Sequence, residues 1–196
     1  MTTRIITEPT VEPVTLAEAK LHLKEDLMSV DNDARISAVL ASARQAVEHA
    51  MGRAIMLQTR ETTLDEFPSA IRLDMPPIID VVSVEYTAAD GVATALSSGS
   101  YTLDATSEPG WLVPAYGLSW PATQVSINAV RVRYRAGYST SSNAATAQAA
   151  VPAGIKYAIL LELGSRYKYG AMGDAAPAMR HDFARHLLDP FKIYTL

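Results

Sequence analysis

The sequence predicts an α+β protein, a helical bundle of about four helices with a small antiparallel β-domain inserted between them. Three observations carry that prediction. From Ile36 to Met51 apolar residues recur at three- and four-residue spacing, the pattern of a helix with one buried face. The same period returns at Ile155, Ile159, Leu163 and Tyr167. Between these stretches the chain is rich in β-branched residues and turn signals, and Ile127 to Tyr134 reads as its clearest strand. The expected division is 1–53 as an N-terminal helical part, 54–138 as the inserted β-domain, 139–151 as a linker loop, and 152–196 as C-terminal helices and a tail.

The first helix begins at Thr15-Leu16-Ala17-Glu18. Thr15 is spaced to accept from the free amides of the first turn while Glu18 reaches back, a capping box. Leu16, Ala19, Leu23 and Leu27 are its expected apolar stripe. Asp31 or Asp33 opens the second helix, where a carboxylate favours the positive end, and Gly52 stops it. Residues 59–65 alternate in the manner of an exposed strand. Ile71–Leu73, 81–86, 92–96, 101–103 and 111–113 are further strand candidates, with Asp90-Gly91 as a hairpin turn. Ser139 to Ala150 is small and polar without an apolar period, hence the linker. Pro152 suits the first turn of the next helix. A short last helix is expected over 178–188, burying Phe183 and Leu187 and ending at Pro190.

Composition narrows the function. The chain has 196 residues, no cysteine, 48% hydrophobic and 19% charged residues, and a net charge of −4. Disulfides and thiolate metal sites are excluded, which fits a protein made in the cytoplasm. No stretch reaches the roughly 20 apolar residues of a membrane helix, and the first ten residues lack the apolar core of a secretory signal. The acidic balance argues against a primary DNA binder, which needs a patch that neutralises several phosphates. It suits a surface that DNA passes without sticking.

Chemistry-bearing motifs are scarce. His22, His49, His181 and His186 form no metal-binding helix pair; a spacing of five puts His181 and His186 on different helix faces. Gly117-Leu118-Ser119-Trp120-Pro121 resembles a nucleophile elbow only superficially, since Pro121 stands where the second glycine belongs. Neither phosphate-loop pattern occurs. No catalytic residue, metal or cofactor is therefore expected, and the chain does not read as an enzyme.

Two features remain. Arg131, Arg133 and Arg135 form a basic row on one face of their strand. It reads as an exposed face that blunts aggregation, as a contact between subunits, or as a touch on DNA. Phe191, Ile193, Tyr194 and Leu196 form an apolar tail after a helix stop. It either folds back on its own core or docks on a partner, where a ring of many tails would gain avidity.

Several stretches together resemble one family. Pro13-Val14-Thr15-Leu16-Ala17-Glu18-Ala19-Lys20 with His22-Leu23 is similar to its opening, and Gly52-Arg53 to the end of its second helix. Gln58-Thr59, Leu64-Asp65-Glu66-Phe67-Pro68, Pro76-Pro77, Tyr116-Gly117 with Trp120-Pro121, Tyr134-Ala136-Gly137-Tyr138, Val151-Pro152 and Leu187-Leu188-Pro190 follow in order. The chain thus resembles, over nearly its whole length, the head–tail connector or adaptor proteins of long-tailed bacteriophages and phage-like gene transfer agents. The resemblance implies a structural subunit in the neck of a virion or phage-like particle, about twelve copies forming a ring. Its partners would be the portal protein on one side and a stopper or tail-terminator ring on the other, with double-stranded DNA passing the lumen without specific binding. Carried onto this chain, portal docking falls to Leu188, Pro190, Phe191, Ile193, Tyr194 and Leu196. A weaker expectation gives Arg131, Arg133 and Arg135 to the subunit interface.

Two other readings stay open. One is a stopper or tail-completion protein of the same particle. The other is a carbohydrate- or peptide-binding module with Trp111, Tyr116 and Trp120 as its surface.

Overall fold

The computed structural model of the chain describes residues 1–169 and 186–193. Two compact units emerge, one of Met1–Pro9 with Leu57–Thr140 and the other of Thr10–Met56 with Ser141–Leu196. The α+β expectation holds, with four α-helices and two antiparallel sheets among the described residues.

The helical unit starts as the capping box predicts. In α1 (Leu16–Leu23) Thr15 Oγ accepts from Glu18 N at 3.1 Å, and Thr15 N donates to Glu18 Oε2 at 2.7 Å. The helix stops earlier than its apolar stripe suggests. Lys24 turns left-handed at φ 61°, so Leu27 lies beyond the helix and is exposed. Helix α2 (Asp33–Met51) buries Ile36, Leu40, Ala43, Val47 and Met51 along one face. Asn32, not an aspartate, occupies its cap position, and Asp33 in its first turn pairs with the buried Lys20 ammonium. Helix α4 (Ala153–Tyr169) buries Ile155, Ala158, Ile159 and Leu163 and packs against α1 and α2.

The expected linker contains a helix. α3 (Ala144–Ala150) is capped by Asn143, whose Oδ1 accepts from Thr146 N at 3.1 Å. Alanine is the strongest helix former, and a short helix that buries only Ala147 needs no apolar period. The expected helix over 178–188 lies mostly outside the described residues. Its last turn, residues 186–188, is helical and leads into a 3₁₀ turn at Asp189–Phe191.

The β unit recruits the N-terminus. β1 (Thr2–Thr7) pairs antiparallel with β2 (Gln58–Leu64), so residues 1–9 fold with the sheet and not with the helices. The larger sheet then adds β4 (Ile78–Thr87), β5 (Ala93–Ala95) and β8 (Val130–Ala136) in the order β1-β2-β8-β4-β5. The smaller sheet holds β3 (Ile71–Leu73), β6 (Tyr101–Asp104) and β7 (Gly110–Pro114) in the order β3-β7-β6. Between the sheets there is no room at Gly110: a Cβ there would stand 2.7 Å from Ile78 Cγ1. β8 begins at Val130, later than its β-branched run, because Asn128 takes a left-handed φ of 58° and leaves Ile127 in an exposed loop.

β2 is not the exposed strand its alternation suggests. It sits between β1 and β8, and Gln58, Arg60, Glu61, Thr62 and Leu64 are all buried. On its inner face Tyr134, opposite Arg60, donates its hydroxyl to Asp74 O at 2.8 Å, and burial pushes that phenol up to about 12.

The turn after α2 is held by one carboxylate. Glu48 Oε2 accepts from Arg44 Nη1 at 2.8 Å and Oε1 accepts from Ile55 N at 2.8 Å, while Arg44 Nε also donates to Glu12 at 2.9 Å. Arg44 and Glu48 are both buried. Breaking a buried ion pair strands its partner and an amide. Glu48→Ala should therefore lower the unfolding free energy in urea by about 3 kcal/mol; a loss below about 1 kcal/mol would show that water or Glu12 replaces the carboxylate.

Candidate functional site

The C-terminal segment folds back on its own helical unit. Ile193 N donates to Met51 O at 2.9 Å, and Arg53 Nε donates to Phe191 O. The Ile193 side chain lies over Gly52, and the Phe191 ring lies beside Gly154 in the first turn of α4. Leu188 is buried, Phe191 and Ile193 are half-buried, and Pro190 is exposed. Around the turn, Asp189 accepts from Lys192 Nζ at 2.5 Å and lies 3.1 Å from His186 Nδ1. These hydrogen bonds hold its carboxyl below the ordinary value. Of the tail residues singled out above, Tyr194 and Leu196 lie outside the described residues.

The basic row is brought together with carboxylates that periodicity alone does not reveal. Arg4 on β1, Glu61 on β2 and Arg133 on β8 stand directly opposite one another across three strands. Arg4 Nη2 reaches Glu61 Oε1 at 2.7 Å, and Arg133 Nε reaches Oε2 at 2.7 Å. The two guanidiniums cover the carboxylate completely, and the Glu61 side chain is 0% exposed. Arg135 pairs with Asp80 on β4. Arg131 stands opposite Glu85, is exposed, and has no ion pair among the described residues. The outer face of the sheet therefore presents guanidiniums to solvent, with its central carboxylate beneath them.

Burial alone would raise the Glu61 carboxyl; the hydrogen bonds and charges of Arg133 and Arg4 outweigh it and hold the group below its ordinary value. Asp80 is lowered by its hydrogen bond from Arg135 against a smaller burial effect.

The remaining sequence motifs assemble no chemistry. His22 sits half-buried beside Gly164, and burial lowers its pKa. His49 is exposed, and His181 lies outside the described residues. Among the described residues no three histidines or carboxylates gather to hold a metal. Gly117, at φ 78°, belongs to a loop turn in which Leu118 N donates to Ala115 O. Trp120 stacks on Phe67 at 4.7 Å, and Phe67 meets Tyr86 edge-on at 5.7 Å. That indole is thus used in packing, whereas Tyr116 is fully exposed and Trp111 lies on β7. No single described helix is long and apolar enough to cross a membrane.

Two loops expose large apolar side chains, of which the sequence marks Tyr116 alone as a surface residue. Between β7 and β8, Tyr116 and Val125 are 105% and 102% exposed, with Leu118 and Ile127 also outside. The second half of this loop is pinned: Gln124 N donates to Thr87 O at 3.0 Å and Asn128 N to Asp65 Oδ1 at 2.8 Å. A groove of about 470 Å³ runs along it beside Asp65 and Glu66. In the helical unit, Leu21 and the α1–α2 turn expose Leu27, Met28 and Val30. The signal was present, since apolar residues that follow a helix stop have no face to join.

No protein-family model matches the chain, and no curated protein does. Its fold is similar to solved chains of gene transfer agent particles. One belongs to the neck of an empty particle computed with C6 symmetry, at TM-score 0.81 and 19% identity, covering 100% of this chain and 97% of that chain. Another belongs to the virion of a native particle, at TM-score 0.78 and 19% identity with the same coverage. A third belongs to the neck of a native particle computed with C12 symmetry, at TM-score 0.73 and 20% identity, again with the same coverage.

The Glu61 pairing sets a pH dependence. A carboxyl lowered in the folded state stabilises the fold above its ordinary range, and that stability is lost as pH falls through the lowered value. In Arg133→Ala, Glu61 keeps only Arg4, so the acid loss of stability should move to higher pH, measured as urea midpoints across an acid series. An unchanged acid profile would mean that Arg4 alone holds the charge.

Proposed function

We propose that this chain is a structural subunit of the neck of a phage-like particle, the adaptor that forms a ring between the portal and the stopper or tail. The observation that carries the reading is the likeness in fold to neck chains, which takes in essentially the whole of both chains and includes both units. The ordered sequence resemblance, from the Pro13–Lys20 opening to Leu187-Leu188-Pro190, supports the same assignment independently. The ring has about twelve copies, in keeping with neck assemblies computed with C6 and C12 symmetry. The chain acts in the particle neck and is made in the bacterial cytoplasm. It works by holding neighbours together and not by catalysis.

A mildly acidic subunit suits a lumen through which DNA moves without being held. The helical half favours the adaptor over a stopper, which as a class is richer in strand. Within the C-terminal segment the roles divide. Ile193 and Phe191 anchor the segment to the end of α2 and to α4, and Leu188 is buried beside them in the chain. The exposed Pro190 and the residues beyond the anchor, Tyr194 and Leu196, contact the portal. Weak contacts of this kind gain affinity when a ring presents many at once.

Mass by light scattering tests this, on the protein alone and mixed with the portal protein of the same gene cluster. The adaptor gives a large complex only with the portal. Removing residues 194–196 abolishes that complex and leaves the melting temperature unchanged, whereas cutting after Leu188 lowers the melting temperature by removing the anchor. No association with an intact portal would overturn the adaptor reading and favour a stopper.

A further inference from the structure

A ring of more than two copies is joined by two different surfaces on each copy, one meeting the other around the circle. Two surfaces of opposite character occur in this chain, one on each unit.

The first is the turn between α1 and α2. Met28 is 88% exposed, and Leu27 and Val30 project beside it. The turn is shaped from within: Met28 N donates to Asp26 Oδ1 at 2.9 Å, and Ser29 O accepts from the buried Lys20 Nζ at 2.6 Å. Its rim is acidic. Residues 24–33 hold Glu25, Asp26, Asp31 and Asp33 against the single cation Lys24. Asp33 is committed to Lys20 and Glu25 accepts from the Tyr167 hydroxyl, which leaves Asp26 and Asp31 as the exposed carboxylates. The nearby Arg35 is occupied, its guanidinium over the Tyr167 ring at 4.4 Å and donating to Tyr167 O at 3.1 Å.

The second is the outer face of the larger sheet. Arg4, Arg131, Arg133 and Arg135 spread across it, and the carboxylate at its centre is covered. Apolar side chains flank the guanidiniums at two bulges: Ile6 where β1 slips its register, and Val82 where β4 slips.

We infer that the α1–α2 turn of one copy docks on the arginine face of the next copy's sheet, Met28 and its neighbours meeting the bulge residues and Asp26 and Asp31 meeting Arg131. This rests on the ring reading and names its subunit contact. Charge complementarity selects a second copy as the occupant. Duplex DNA fits the face poorly, because the carboxylates of Glu61 and Asp80 already offset two of the three charges of Arg4, Arg133 and Arg135, and DNA binding needs several free cations. From the sequence the arginine row reads as an exposed face, a contact between subunits or a touch on DNA. Its counterpart lies just past the stop of α1, where only Leu27 continues the expected apolar stripe.

A chain without cysteine makes the test clean. Met28→Cys and Arg131→Cys are made in separate copies, mixed, and treated with a short bismaleimide, both concentrated and bound to the portal. Cross-links between the two variants should exceed those of either variant with itself by about tenfold, as a contact favoured by roughly 1.4 kcal/mol requires. As a second measurement, Asp31→Lys and Arg131→Glu each weaken assembly and the pair together restores it. Melting curves are recorded alongside, because the carboxylate introduced by Arg131→Glu would face Glu85. Equal yields from all three combinations, or no mixed product in either condition, overturn the inference. Duplex DNA retention that Arg131→Glu abolishes, without the mixed cross-link, gives the face to DNA instead. Failure of the ring reading is seen separately, as the absence of a portal-dependent rise in the mass of the unmodified protein.

Discussion

The last turn of α2 is the constraint on which the rest of the helical unit depends. A helix ends with carbonyls that need partners, and here one residue organises them. The Glu48 carbonyl takes the amides of Gly52 and Arg53, and its carboxylate takes the amide of Ile55. Gly52 at φ 70° lets the chain reverse there. Because the reversal is fixed, the free Met51 carbonyl and the Arg53 side chain point to one place, and the chain's last described residues return to it. A buried carboxylate would be costly alone; Arg44 offsets the cost and ties the knot to Glu12 as well.

The β unit solves a related problem with charge. A sheet with one face outside exposes a polar surface that must neither aggregate nor waste buried ions. Directly opposed cross-strand pairs meet both needs. Glu61 lies under Arg4 and Arg133, so the ions satisfy one another while their alkyl stems cover the strand. The inner face carries Arg60, Thr62 and Gln58 beside the aliphatic residues of β8. Polar groups in such a layer fix strand register, because a slip of one residue would strand them.

What the sequence made legible was local. The Thr15–Glu18 capping box, the long face of α2, the Gly52 stop, the Asp90-Gly91 turn and the alternation of β8 each follow from residues within one or two turns of one another. What it concealed was long-range. β1 is a six-residue edge strand whose partner lies more than fifty residues away, so no local period announces it. Helix α3 is built of alanines too small to leave a pattern. Glu61 reads as exposed until strands 57 and 72 residues distant bring arginines over it. The tail posed a choice between folding back and docking. Leu188, Phe191 and Ile193 fold back, through contacts that no spacing rule reaches.

Four surface features stand apart among the described residues: an anchored C-terminal segment, an acidic apolar turn, an arginine-faced sheet, and a pinned loop with naked Tyr116 and Val125. A catalyst concentrates its unusual groups in one cleft, whereas among the described residues they are dispersed over separate surfaces, as the proposed ring subunit would require. The most direct measurement is electron microscopy of particles made by cells that lack only this gene. For a neck adaptor, heads and tails form but stay unjoined, and the chain supplied from a plasmid restores complete particles. Complete tailed particles in its absence would contradict the assignment.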